Sequence, residues 1–329
     1  MKRILSCFWA VGFLFMVSGY ALPLEQSKRS NQLAELNDIQ YKTIDANTSL
    51  SLKELKGQNE IVTNRPCIIL LSGGGWLNFS WGQLKDLGQA FSDLGAAVFI
   101  VEYRTFNNHG STPVDALEDV QDAIAYLRLN SAKHRINSNQ IIAIGTSAGA
   151  HLAFASGMSN SRDLKDLSPY RPNIIVAFSP VLRNDSEGYA FDRIQEDYTW
   201  FSPYNVYSNT QINIPPSLVF SGIDDKYIAF KDLEKFSQMA AKNGDTFVLR
   251  GVQGANHSMR NYYDQIYMHS FPEIKSFLLE NDVPLFELMT KEPLTSQNKQ
   301  TNLIFLLAGI IIALVLIWAL FKNRKGDAK

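Results

Sequence analysis

A mostly parallel β-sheet covered by helices on both faces is the fold class this sequence predicts, and three observations predict it. Apolar runs of strand length recur at 67–71, 97–103, 140–144, 173–178, 216–220 and 246–252. They are continuous rather than alternating, as strands buried on both faces are. Helical patterns at 113–130, 148–158, 231–243 and 262–279 fall between or after them, which is the alternation of an α/β domain. The third observation is Gly145-Thr146-Ser147-Ala148-Gly149, where the run 141–144 stops and a small-residue helix begins. With 329 residues, 46% of them hydrophobic, the chain can bury a full core.

The segment 39–55 offers one or two antiparallel lead-in strands. The helix over 113–130 starts at a proline, whose missing N–H costs nothing there, and Val114, Leu117, Val120, Ile124 and Leu127 repeat at helical spacing. Its acids Asp115, Glu118, Asp119 and Asp122 read as a solvated face near the positive end of the helix rather than as a metal site. Residues 22–38 and 286–301 read as polar linkers, and 39–285 as one domain. No internal repeat or low-complexity tract interrupts it.

The two ends predict a topology. Lys2 and Arg3 precede an apolar stretch, and Gly19-Tyr20-Ala21 supplies small residues for cleavage, so 1–21 reads as a secretory signal or, alternatively, an N-terminal anchor. A transmembrane helix is expected over 302–321. Its run 303–321 carries no charge and, at ~1.5 Å per residue, is long enough for a ~30 Å hydrocarbon layer. Lys322, Arg324 and Lys325 follow, which favours a cytoplasmic tail over 322–329 and an extracytoplasmic domain. Sequons at Asn78 and Asn256 lie beside the candidate site, where a glycan would obstruct it, and so lean toward a bacterial inner membrane, periplasmic face.

Composition excludes other classes. A formal net charge of −1 offers no basic field for nucleic acid. Cys7 and Cys67 are the two cysteines. Without the leader only Cys67 remains, read as a small core residue because nothing basic flanks it. No His or Cys pair has metal-ligand spacing, and no cofactor is called for.

A serine on a sharp strand-to-helix turn has its hydroxyl pushed above the sheet, which makes Ser147 the candidate nucleophile. Acyl transfer also needs a base, an acid that orients it, and donors for an oxyanion. His257, in the loop after the last strand candidate, is the candidate base. His151 lies one helical turn past Ser147 and reads as a packed core residue; His269 lies inside the last helix; His109 and His134 sit in polar stretches. The acid comes from Gly222-Ile223-Asp224-Asp225, where Asp225 is the choice and Asp224 would be a turn or capping residue. Ser72-Gly73-Gly74-Gly75-Trp76 follows a strand, so the backbone N–H groups of Gly73 and Gly74, with that of Ala148, are the candidate oxyanion donors, and Trp76 a candidate pocket residue. Residues 182–207 carry seven aromatics, among them Tyr189, Trp200 and Phe201. They either cap the site or pack their own loop onto the domain.

At these motifs the chain resembles the α/β-hydrolase superfamily, in its esterase branches with an H-G-G-G-type oxyanion loop, including carbohydrate-esterase-like and hormone-sensitive-lipase-like groups. The resemblance runs from about Tyr41 to about Leu279. It rests on 72–76, on Val101-Glu102-Tyr103-Arg104, on 145–149, on 222–228 and on 254–257, in the serine, aspartate, histidine order of that fold. The family's spacing favours Asp225 over Asp224. Ser72 stands where the family has histidine, and it cannot brace the loop in the same way. The resemblance implies a membrane-tethered serine hydrolase, foremost a carboxylic ester hydrolase on small-molecule short acyl esters, with a carbohydrate or envelope ester as one substrate class. An amidase, formamidase or serine peptidase, and a non-catalytic binding module of the same fold, are the alternatives.

Overall fold

β1 (Asp38–Thr43) and β2 (Ser49–Leu55) form an antiparallel hairpin, tightened at its loop by Asp45 Oδ1, which accepts the N–H groups of Asn47 and Thr48. In the computed structural model the described residues are 36, 38–57, 63–259 and 266–284. Two compact units, Met1–Leu36 and Asn37–Lys329, divide the chain, and the second holds the whole sheet and its helices. The expected leader, stalk, transmembrane helix and basic tail lie outside the described residues. Among the described residues, no helix is long and apolar enough to cross a membrane.

The hairpin joins β3 (Arg65–Leu71), β4 (Ala97–Val101), β5 (Ile136–Thr146), β6 (Ile174–Phe178), β7 (Ser217–Gly222) and β8 (Phe247–Val252) in one eight-stranded sheet. Its order is β1-β2-β4-β3-β5-β6-β7-β8, with β2 antiparallel to β4 and every pair from β4 to β8 parallel. The six apolar runs of the sequence are these six parallel strands. Ile68, Ile69 and Leu70 of β3, and Ile141, Ile142 and Ile144 of β5, are buried. Each such side chain contributes about 1.5–3 kcal/mol over its exposed state.

Helices cover the sheet: α1 (Lys85–Asp93), α2 (Pro113–Leu129), α3 (Ala148–Ala155), α4 (Phe230–Asn243) and α5 (Phe271–Glu280). Thr112 caps α2 in a reciprocal box with Asp115, worth about 1 kcal/mol. The acidic face of α2 differs from expectation. Asp119 is fully buried and bonded to Lys42 Nζ at 2.6 Å and to Arg104 Nε at 2.8 Å, while Asp122 takes Lys42 and Arg162. Lys42 on β1 and Arg104 after β4 draw these carboxylates inward, a pairing across distant segments that helix periodicity does not carry.

The expected helix over 262–279 is divided. A short turn, Ile266–His269, precedes α5, whose first turn holds Pro272. Proline has no N–H to give an earlier turn and starts a new helix instead. The apolar pattern does not predict α1. Leu84, Leu87 and Phe91 carry its buried side, but Gly88 within it weakens the helical signal.

The aromatic segment 182–207 folds into short helical turns at Phe191–Ile194, Tyr198–Phe201 and Pro203–Asn209. Phe201 and Tyr207 are buried, with Tyr207 stacked on Phe236 of α4. Through Arg193 the segment also reaches the loop after β3.

Candidate active site

β3 leads to β4 on one side and the chain then returns to β5 on the other, so the strand order reverses between the parallel neighbours β3 and β5. Open α/β sheets place ligands at the strand C-termini of such a reversal. Here Gly73, after β3, and Ser147, after β5, are brought together: a Cβ on Gly73 would lie 3.2 Å from Ser147 Cβ.

Ser147 has φ 52° and ψ −117°, outside the regions that side-chain-bearing residues favour. Two bonds hold it there: its N–H donates to Phe178 O at 2.8 Å, and its carbonyl accepts the His151 N–H at 3.0 Å. The turn also requires α3 to sit hard against β3, since a Cβ at Gly149 would stand 2.2 Å from Leu71 O. Only a residue without a side chain fits.

Ser147 Oγ lies 2.8 Å from His257 Nε2, and His257 Nδ1 lies 2.8 Å from Asp225 Oδ2. Asp225 follows β7 and His257 follows β8. Their loops meet closely, because a Cβ at Gly222 would be 2.1 Å from Ala255 O. The second carboxylate oxygen of Asp225 accepts the N–H groups of Tyr227 at 2.8 Å and Ile228 at 3.0 Å. Burial alone would push this carboxyl up. The bond from His257 and those two N–H groups outweigh it and hold the group below the usual carboxylate range. An ionised carboxylate only accepts, so Nδ1 carries the ring proton and Nε2 is left to accept from the serine hydroxyl. Asp224 is exposed in the turn before and makes no such contact with the ring.

The loop after β3 differs in detail from expectation. The Gly73 N–H, expected as an oxyanion donor, donates to Gln83 Oε1 at 2.7 Å and is therefore already engaged. Gly74, at φ 136°, has no acceptor for its N–H among the described residues, and Ala148, first residue of α3, has no intrahelical one. In place of a histidine, Ser72 is held through its carbonyl, which accepts from Tyr103 Oη at 2.6 Å, and through its hydroxyl, which accepts the Ser80 N–H at 3.2 Å. Arg193, from the aromatic segment, donates to Gly75 O at 2.7 Å. Gln83 and Arg193 carry no signal in the sequence, because neither lies in a motif and each acts on a loop distant along the chain.

The remaining candidates fall outside the contact set. His151 is fully buried, its Nε2 3.2 Å from Phe201 O, and burial lowers its pKa to about 3, so it is neutral. His134, expected in a polar stretch, is buried against Phe99 and Tyr126. His109 Nδ1 accepts the Thr105 N–H. Cys67 is buried and its thiol pKa is raised, chiefly by desolvation, which makes it inert.

The family model described as BD-FAE matches residues 56–181. A solved structure of the esterase Est2 of Thermogutta terrifontis superposes with a TM-score of 0.68 at 25% identity, covering 77% of this chain and 94% of that one. The chain is 23% identical to endo-1,4-beta-xylanase B of Butyrivibrio fibrisolvens over 190 residues, 53% of this chain and 29% of that protein. It is 27% identical to the acetylxylan esterase of Xylanibacter ruminicola over 151 residues, 41% of this chain and 28% of that protein. It spans no more than about half the length of the curated relatives it matches. Sheet order, the strand-turn-helix at Ser147 and these matches together make the chain a member of the α/β-hydrolase superfamily, on its esterase-like side.

Proposed function

We propose that this protein is a membrane-tethered serine hydrolase that cleaves short acyl esters through an acyl-enzyme. The observation that carries the reading is the unbroken line from Ser147 Oγ through the His257 ring to Asp225, with 2.8 Å at both joins.

In this mechanism His257 Nε2 takes the hydroxyl proton as Ser147 Oγ forms a bond to the ester carbonyl carbon. The carbonyl π electrons move to oxygen, and the N–H groups of Gly74 and Ala148 stabilise that charge. Collapse expels the alkoxide, which takes the proton from His257. Water then repeats the cycle on the acyl-serine, with His257 again as base, and releases the acid. Asp225 keeps Nδ1 protonated and stabilises the imidazolium without taking its proton.

The acetylxylan esterase among the relatives supports a carbohydrate acyl ester as the substrate class. The charge-free run at 303–321 followed by Lys322, Arg324 and Lys325 supports a C-terminal anchor with the domain outside the cytoplasm. Two experiments test these readings. Purified full chain in detergent should hydrolyse p-nitrophenyl acetate and butyrate, and Ser147→Ala should lose about 10³-fold or more in kcat; equal turnover by both proteins removes the esterase reading. Carbonate-washed membranes should retain the full chain and release one ending at residue 301; release of both removes the anchor.

A further inference from the structure

Beside the loop that carries Gly73 and Gly74 lies a cavity of about 350 Å³, walled by Trp76, Leu77, Phe106 and Pro113 and reached by Ser111 and Arg193. At ~3.8 Å between successive Cα atoms, Trp76 is within about 11 Å of Gly73, which packs on Ser147. One wall of the cavity therefore belongs to the same loop that packs on the nucleophile.

One charged side chain, Arg193, lines this apolar space. Arg193 spends one nitrogen on Gly75 O and lays its guanidinium over the rings of Trp76 and Tyr189, at 5.9 and 5.6 Å. Among the described residues no carboxylate pairs with it, as with Arg128, Arg135 and Arg171, whereas Arg65, Arg104, Arg162, Arg183 and Arg250 each have one; of the four arginines without one, Arg193 alone lines this cavity. Trp76 is held at φ 60°, a strained setting for a bulky residue, and its ring packs edge-on against His151 and Phe201.

We propose that this cavity is a substrate subsite for a carboxylate-bearing arm of the ester, with Arg193 as its specificity-determining residue. The apolar walls take the body of the arm, and Arg193 takes its anionic end. A guanidinium binds a carboxylate through paired N–H donors, so a neutral isostere of the same shape loses that contact. The proposal rests on the esterase reading for its kinetic half only.

Matched probes test it on the full chain in detergent: 4-acetoxybenzoate against 4-acetoxytoluene for an acid on the leaving group, and p-nitrophenyl hydrogen glutarate against p-nitrophenyl valerate for one on the acyl group. In at least one pair the acid should have the higher kcat/KM, by about tenfold or more. In Arg193→Met that ratio should fall to about one, even if loss of the Gly75 bond slows both members. Ser147→Ala should bind 4-acetamidobenzoate, and not 4-acetamidotoluene, by calorimetry. Equal handling of acid and neutral probes by the wild type, or a preference untouched in Arg193→Met, overturns the subsite. Absence of turnover of any probe with retained carboxylate binding overturns the esterase reading and leaves the subsite standing.

Discussion

The Gln83 side-chain carbonyl accepts the Gly73 N–H at 2.7 Å, and so ties the segment before α1 to the glycine that packs on Ser147. It takes up part of the bracing that a histidine at position 72 would supply. Replacing it loosens the loop from which Gly74 faces the site. Gln83→Leu should lower kcat about tenfold with little change in KM, because the lost positioning matters most where charge develops. Steady-state kinetics on p-nitrophenyl butyrate check this; unchanged kcat would mean that Tyr103, Ser80 and Arg193 hold the loop unaided.

Adjacent carboxylates after β7 have unequal surroundings. Asp225 bonds His257 Nδ1 and two backbone N–H groups, while Asp224 faces solvent. Asp225→Asn would present the ring with a donor in place of an acceptor and favour the wrong tautomer, so kcat should fall by about 10³–10⁴. Asp224→Asn should stay within about twofold of wild type. A reversed ranking would move the orienting role to Asp224.

His151 gives the fold an acid sensitivity of its own. Burial lowers its folded pKa to about 3, while the unfolded ring titrates near ~6.5. Between these values the unfolded chain binds a proton that the folded chain refuses. Stability from this group is therefore fully present above about pH 6.5 and declines as pH falls toward 3. Thermal melts from pH 7 to pH 4 should show a falling midpoint, and His151→Phe should show a shallower fall; identical slopes would remove His151 as a source.

Asp119 is an anchor between elements far apart in sequence. It takes Lys42 from β1 and Arg104 from the end of β4 with no exposure of its own. Asp119→Ala would leave both cations short of a partner at mostly buried positions. The expected loss is about 3 kcal/mol or more by urea denaturation. A change under about 1 kcal/mol would mean that Asp115 and Asp122 take over the two cations.

The parallel sheet was legible because strands buried on both faces leave uninterrupted apolar runs, and 67–71 and 141–144 are such runs. Ser147, Asp225 and His257 could be singled out because each stands directly after a run and therefore at one edge of the sheet. What stayed hidden depends on contacts between distant segments. Gln83 meets Gly73 across ten residues and Arg193 meets Gly75 across 118, and no periodicity encodes either. Asp119 looked solvated because its sequence neighbours are acidic; the cations that bury it come from 77 residues before and 15 residues before.

The left-handed backbone at position 147 also decides which chemistries the turn could ever host. A branched Cβ would collide with its own main chain at φ 52°, so threonine, although an alcohol, would unwind the bend before it could react. Cysteine, unbranched, would fit the same bend. Thiol chemistry is therefore open to descendants of this scaffold by a single exchange, and secondary-alcohol chemistry is closed.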